Sequence, residues 1–257
     1  MSFTHHFSVL PGDERQTHLI DVLLAKGQRV AYDMPLSDLC HAAPVILGGI
    51  PLKYTYEELF LTKGQLFFGG CLCDDFFSAC EADDVAAFDY MKDKELTIFN
   101  SIATAEGTIA EMIQHSYFNL HNSSVLIFGF GICGKALAKR LQGMQMQVCI
   151  CARNAASRAD ALSLGYEAID FKDLRGYLPG FLFIVNTVPA PVLTDELLNF
   201  VHPECLILDI ASAPGGVDRK AAEALSIKTI TLPGLPGRYS PKTSASYMAD
   251  CVFRHLV

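Results

Sequence analysis

Short runs of apolar residues alternate along this chain with stretches in which apolar side chains return every three or four positions. The runs at 6–10, 29–32, 45–48, 65–69 and 96–99 predict strands. Residues 16–25 predict a helix, with Leu19, Ile20, Leu23 and Leu24 on one stripe, and 56–61 and 83–91 also read as helical. Residues 104–120 carry a longer helical pattern, with Ile109, Met112, Ile113 and Phe118 along one side. Glu106 stands near its start and His121 past its end, as the helix dipole favours. The alternation is clearer beyond it, with strands expected at 125–128, 148–151, 166–169, 181–186, 205–210 and 228–231. A Pro- and Gly-rich loop follows at 232–242, and a last helix at about 244–256. Strands that alternate with helices imply parallel sheets covered on both faces.

One loop brings chemistry. Val125-Leu126-Ile127-Phe128 runs into Gly129-Phe130-Gly131-Ile132-Cys133-Gly134, and an amphipathic pattern follows. G-x-G-x-x-G between a strand and a helix is the dinucleotide-binding arrangement. Gly129 permits the tight turn, Gly131 lets backbone N–H groups approach a pyrophosphate, and Gly134 allows close helix–sheet packing. The same residues also read G-x-x-x-x-G-K up to Lys135, close to the phosphate loop of a nucleotide hydrolase, with Asp209 on a later apolar strand. Ala136 stands where that loop needs a Ser or Thr to hold magnesium.

The expected fold is therefore α/β with two doubly wound parallel-sheet domains joined by a long helix. Residues 1–103 form a flavodoxin-like domain. Residues 104–243 form a six-strand NAD(P)-binding Rossmann domain that includes the linker helix 104–120. Residues 244–257 form a helix packing back toward the first domain. The 257 residues, at ~150 per domain, fit two domains. With 51% apolar and 19% charged residues the chain can bury a core. The net charge of −8 disfavours nucleic acid or an anionic membrane as the main partner. No run of ~18 apolar residues predicts a membrane span, and Met1-Ser2-Phe3-Thr4-His5-His6 lacks the features of a signal peptide. Nine cysteines without a CxxC pair read as reduced thiols of a cytoplasmic protein. Cys71, Cys73 and Cys80 lack a fourth ligand at finger-like spacing, so no metal is expected.

The strand tips narrow the cofactor. An NAD site places Asp or Glu at the end of the strand after the glycine loop. Here the strand ends Cys151-Ala152-Arg153-Asn154, with Ser157 and Arg158 behind, a set suited to the 2′-phosphate of NADP. Asn186, Thr187 and Val188 end one later strand, and Asp209, Ala211 and Ser212 end another, running into Pro214-Gly215-Gly216. With Ile132 and Cys133 of the glycine loop, these complete the expected cofactor site.

From about residue 100 onward the chain resembles the A subunits of dipicolinate synthase. The resemblance rests on Asn100-Ser101-Ile102-Ala103-Thr104-Ala105-Glu106-Gly107-Thr108-Ile109, Ile113-Gln114-His115, the glycine loop and Ala152-Arg153. It continues through Asn186-Thr187-Val188-Pro189, Leu208-Asp209-Ile210-Ala211-Ser212 with Pro214-Gly215-Gly216, and Pro233-Gly234-Leu235-Pro236-Gly237 with Pro241-Lys242-Thr243. Ala103 departs from the pattern, where Pro is expected. In the first half only Gly12-Asp13-Glu14-Arg15-Gln16 is similar. The resemblance implies NADP-dependent oxidation of dihydrodipicolinate, or its hydrated precursor, to pyridine-2,6-dicarboxylate. It also implies the cytoplasm of a sporulating mother cell and a flavoprotein-like B subunit. A homo-oligomer is the expected assembly. A small dicarboxylate in an acidic protein needs local cations, and Arg15, Lys242 and Arg238 are the candidates. Lys242 is expected at the reacting end, with His115 as the base. The alternatives are another two-domain dehydrogenase of the alanine or 2-hydroxyacid type, and a non-catalytic NADP-binding subunit.

Overall fold

The structure, a computed structural model, describes residues 3–256. Met1 and Ser2, where the signal-peptide reading begins, lie outside the described residues. The chain divides into two compact units, Met1–Asn100 with Pro236–Val257, and Ser101–Leu235.

The first unit opens with β1 (Phe7–Val9), α1 (Glu14–Ala25), β2 (Val30–Ala31), α2 (Leu36–Ala42) and β3 (Val45–Leu47). It continues with β4 (Leu66–Gly69), α3 (Asp74–Ala82), β5 (Ala86–Asp89) and α4 (Lys94–His115), which carries the chain into the second unit. The sheet is parallel throughout, in the order β2-β1-β3-β4-β5. That is the flavodoxin-like order, with its switch point between β1 and β3. Alternate strand residues feed opposite cores, as the period of two requires. Phe7, Val9, Leu47 and Phe68 pack with Leu19 and Leu23 of α1, whereas Ile46 and Phe67 pack with Leu39 of α2 and Phe76 of α3.

The second unit contains β6 (Ser124–Phe128), α5 (Ile132–Gly143), β7 (Gln147–Cys151), α6 (Ala155–Ser163), β8 (Glu167–Ile169) and α7 (Leu174–Tyr177). Then come β9 (Phe183–Asn186), α8 (Asp195–Leu198), β10 (Leu206–Asp209), α9 (Arg219–Ala224) and β11 (Thr229–Thr231). Its parallel sheet runs β11-β10-β9-β6-β7-β8, the doubly wound order of dinucleotide-binding domains, with the switch point between β6 and β9. Cys149 and Cys151 lie on one side of β7 in an apolar core, and burial pushes both thiols up to about 12. They act as small hydrophobes. Past β11, α10 (Leu235–Tyr239) and α11 (Pro241–His255) return the chain to the first unit. There Ala245, Met248 and Val252 of α11 complete the core that contains α1.

Several predicted elements differ. Residues 96–99 are not a strand: they sit in the first turns of α4, where Asp93 accepts the Leu96 N–H at 2.8 Å and caps the helix. A four-residue apolar run carries too little periodicity to separate strand from helix. The long helix thus covers Lys94–His115 rather than 104–120. Residues 83–91 contain β5, because pairing with β4 outweighs the helix propensity of alanine. Residues 56–61 hold only a turn, braced where Glu58 accepts the Thr55 N–H at 2.8 Å. α2 was not expected. The Pro/Gly block is largely helical, since Pro241 occupies the first turn of α11 and Pro236 that of α10, where proline is favoured. Among the described residues no helix is long and apolar enough to cross a membrane.

Candidate functional site

The glycine loop leaves the carboxyl end of β6, and each of its glycines has a different reason to be there. Gly129 has φ +89°, and a Cβ on it would come within 2.7 Å of Thr187 Oγ1 and 2.9 Å of Val188 Cγ2. Gly134, in the first turn of α5, packs so closely that a Cβ would strike the Gly129 carbonyl. These two are dictated by the protein's own packing. Gly131 is not: a Cβ there would meet nothing within 4 Å. Gly131 also caps α5 without supplying a side-chain acceptor. Among the described residues the first-turn N–H groups, including those of Ile132 and Cys133, receive no side-chain cap. An uncapped helix start beside open space is suited to a pyrophosphate. Burial raises the Cys133 thiol, so it adds no charge there.

Neighbouring strand tips hold this turn in place. The Thr187 hydroxyl and N–H both donate to the Phe128 carbonyl, at 2.8 and 3.1 Å, and tie β9 to the end of β6. Asn186 is fully buried. Its amide donates to Asp209 Oδ1 (2.8 Å) and the Val188 carbonyl (3.0 Å), and its oxygen accepts from the Val188 N–H (2.9 Å). Asp209 spends its remaining capacity on the Ala211 N–H (3.2 Å) and the Gly216 N–H (2.9 Å). The side chains of Asn186, Thr187 and Asp209 therefore brace the carboxyl edge instead of reaching for a ligand, a correction to the sequence reading. Ser212 is exposed on the turn that Asp209 anchors, beside the half-buried Ala211.

The tip of β7 sorts the predicted cations. Arg158 donates to the carbonyls of Ala152 (2.7 Å) and Arg153 (2.8 Å) and pairs with Asp170 at 2.8 Å, so it shapes the tip and is already neutralised. Asn154 caps α6, accepting the Ala156 N–H at 2.8 Å. Both corrections follow from local bonds that spacing alone does not reveal. Arg153 differs: it is exposed, forms no ion pair among the described residues, and rests its guanidinium 5.9 Å from the centroid of Phe171. Lys135, the cation of the hydrolase alternative, pairs with Asp160 on α6 at 2.6 Å.

His115 ends α4. Its Nε2 lies 3.1 Å from buried Glu111, and its carbonyl accepts from Lys228, which leads into the amino end of β11, at 2.8 Å. The glycine loop follows the carboxyl end of β6. His115 thus sits at the opposite edge of the sheet from the cofactor loop, and the geometry removes it as the base.

In the first unit, Arg15 is 2% exposed. Its Nη2 lies 2.6 Å from Asp13, and it also donates to the Ile50 carbonyl. Burial raises the Asp13 carboxyl, but the hydrogen bonds and charge of Arg15, with the charge of Lys53, outweigh it and hold it below the usual carboxylate range. Arg15 is therefore an anchor at the β1/β3 switch point, not an open carboxylate binder. Gly237 closes over the pair: a Cβ on it would come within 2.7 Å of Asp13 and 3.0 Å of Arg15. The segment carrying exposed Arg238 and Lys242 is pinned there. Lys242 forms no ion pair among the described residues, and Arg238 lies 5.5 Å from the Tyr239 ring centroid.

Residues 98–202 match the D-isomer specific 2-hydroxyacid dehydrogenase family, NAD binding domain. The solved A subunit of dipicolinate synthase from Bacillus halodurans superposes with a TM-score of 0.87 and 25% identity, over 100% of this chain and 99% of that one. Its counterpart from Bacillus subtilis gives 0.83 and 25%, over 100% and 97%. In sequence, the A subunit of dipicolinate synthase from Bacillus subtilis (strain 168) is 35% identical over 162 residues, which is 63% of this chain and 54% of that protein. This chain is similar to the A subunit of dipicolinate synthase in both sequence and fold. In sequence, the match spans about half of that relative's length. An L-alanine dehydrogenase, at 15% identity and TM-score 0.64, over 91% of this chain and 75% of that one, shares the fold. The second unit is thus a nicotinamide-dinucleotide-binding domain of the dehydrogenase type.

Two participants in this site escaped the sequence reading. Phe171, just past β8, underlies Arg153, and Asp170 neutralises Arg158. Both lie at a strand tip, where an aromatic and an acid next to the predicted cofactor edge were the available signal. Asp13 and Gln16 form a capping box at the start of α1.

Proposed function

We propose that this chain is an NADP-dependent oxidoreductase that converts a dihydropyridine dicarboxylate, or its hydrated precursor, to pyridine-2,6-dicarboxylate. The observation that carries the cofactor assignment is an open α5 start at Gly131, without a side-chain cap, together with exposed Arg153 at the tip of β7, which forms no ion pair among the described residues. The likeness to the A subunit of dipicolinate synthase supports the choice of substrate. When bound, the nicotinamide supplies the hydride acceptor.

The chain's own groups do the rest. The N–H groups of Ile132 and Cys133 neutralise pyrophosphate oxygens, with the positive end of α5 behind them. Arg153 takes the 2′-phosphate through charge-assisted hydrogen bonds, its planar group supported by Phe171. Lys242 and Arg238 provide the cations for the substrate carboxylates, which orient the ring for loss of hydride. Oxidation of the dihydropyridine to the aromatic ring releases one hydride to the nicotinamide and one proton to solvent, and the hydrated precursor first loses one water. The same reading includes a flavoprotein-like B subunit, self-association, and action in the cytoplasm of a spore-forming mother cell.

The test couples dihydrodipicolinate synthase to this chain with NADP or NAD, with and without a B subunit, following product absorbance and reduced nicotinamide together. Product that depends on this chain and prefers NADP is expected. NADPH binding without product under any condition would overturn the substrate assignment and favour a different dehydrogenase of the same fold.

A further inference from the structure

A second group of chemistry-bearing side chains lies in the first unit and takes no part in the proposed reaction. Cys251 and His255 are one turn apart on α11, a spacing that turns two ligands toward one point. Asp93, the cap of α4, is the third member. One donor atom from each of Asp93, Cys251 and His255 lies within 4.8 Å of the others, and Cys251 Sγ is 4.0 Å from His255 Nδ1. Donors around a tetrahedral zinc ion stand about 3.3–3.8 Å apart at normal bond lengths. His255 Nδ1 lies 2.9 Å from the Cys251 carbonyl and its ring meets the edges of Phe68 and Phe88, so a rotation of this exposed side chain is what closes the difference.

All three residues line one cavity of about 170 Å³, together with Phe68, Phe88 and Tyr90. The Tyr90 hydroxyl supplies an independent observation. Tyr90 is 1% exposed, and its hydroxyl has no hydrogen-bond partner among the described residues. A buried hydroxyl left unbonded costs about 1–3 kcal/mol, so its place in the wall of this cavity calls for a polar occupant.

We propose that Asp93, Cys251 and His255 bind one divalent cation of the zinc class, with a fourth, water-filled position opening into the cavity beside the Tyr90 hydroxyl. The ligand set is one thiolate, one imidazole and one carboxylate, the mixed sulfur, nitrogen and oxygen donors that zinc accepts. The Cys251 thiol and the Asp93 carboxylate face one another within the same cluster. The cation takes the place of that thiol proton, which is released to solvent. Arg254, whose Nη2 lies 3.0 Å from both Asp93 oxygens, stays on the outer side of the carboxylate and also reaches Glu95 at 3.3 Å. Its positive charge opposes binding, so the expected affinity is that of an exchangeable site.

Cobalt(II) titration of the reduced, metal-stripped full chain tests this. One equivalent is expected to bind with a thiolate-to-cobalt charge-transfer band. His255→Gln should weaken binding at least tenfold, with the Tm of the metal-free variant checking that its fold is kept. Cys251→Ser should abolish the band, and Cys71→Ser with Cys73→Ser should leave it intact. Tyr90→Phe should keep the band and lower the affinity. Absence of stoichiometric binding, or a band that survives His255→Gln unchanged, would overturn the proposal. So would a band that follows Cys71 and Cys73.

Discussion

Gly129 and Gly131, two residues apart in one loop, should fail in opposite ways when each is changed to alanine. At Gly129 the backbone stands at φ +89°, where an L side chain costs about 1–2 kcal/mol. The new methyl would also sit 2.7 Å from Thr187 Oγ1 and 2.9 Å from Val188 Cγ2. Thr187 cannot yield freely, because its hydroxyl and N–H are both bonded to Phe128. Overpacking of that kind adds about 1–3 kcal/mol. Together these give a destabilisation of roughly 2–5 kcal/mol, or a fall in Tm of roughly 4 °C or more for a unit of this size. At Gly131 the backbone has φ −81°, which alanine adopts, and a Cβ meets nothing within 4 Å. The stability cost is at most about 1 kcal/mol, from the poorer cap. The methyl would instead fill the space assigned to pyrophosphate, and a loss of about 1.4 kcal/mol or more in binding is at least tenfold in Kd. Differential scanning calorimetry and NADPH fluorescence titration on both variants separate the two effects. Gly131→Ala with wild-type NADPH affinity would refute the assignment of that space to the cofactor. Gly129→Ala with an unchanged Tm would refute the packing argument.

Other outcomes follow from the same structure. Arg153→Ala should weaken NADPH by tenfold or more, through loss of about 1.5–3 kcal/mol of charged hydrogen bonding, while NADH affinity and Tm stay within error in paired titrations. Asn186→Ala strips Asp209 and Val188 of buried partners and should destabilise by about 3 kcal/mol, read as a Tm drop of roughly 6–12 °C. Lys242→Ala should raise KM for the dicarboxylate substantially with Tm unchanged, checked by steady-state kinetics in the coupled assay. Asp13 and Asp93 are both held below the usual carboxylate range: burial raises each, but the Arg15 contacts at Asp13, and the Leu96 N–H with Arg254 at Asp93, outweigh it. Their stabilisation is present above the unfolded pKa, roughly pH 4, and is lost as pH falls through the folded values. Tm measured between about pH 2 and 6 should fall steeply at the acid end, and less steeply in Asp13→Asn.

The order of strands and helices in the second unit was legible in the chain because parallel strands buried on both faces leave unbroken apolar runs, such as Val125-Leu126-Ile127-Phe128. Its glycine loop was legible too, because backbone conformation and close approach admit only one residue type at Gly129 and Gly134. The first unit was harder. Residues 83–91 carry alanines that favour helix, and only the neighbouring β4 makes β5 a strand. Residues 96–99 look extended until the Asp93 cap starts α4 beneath them.

Which candidate cations stay free is decided by tertiary structure alone. Sequence marks Arg15, Arg153 and Arg158 alike, as charges beside strand ends. Folding closes the Ile50 carbonyl on Arg15, brings Asp170 to Arg158, and leaves Arg153 on the face of Phe171. A local pattern can specify a turn, because its cause lies within a few residues. The partners that settle Arg15 and Arg158, the Ile50 carbonyl and Asp170, come from other segments, and only the packed sheets bring them within bonding distance.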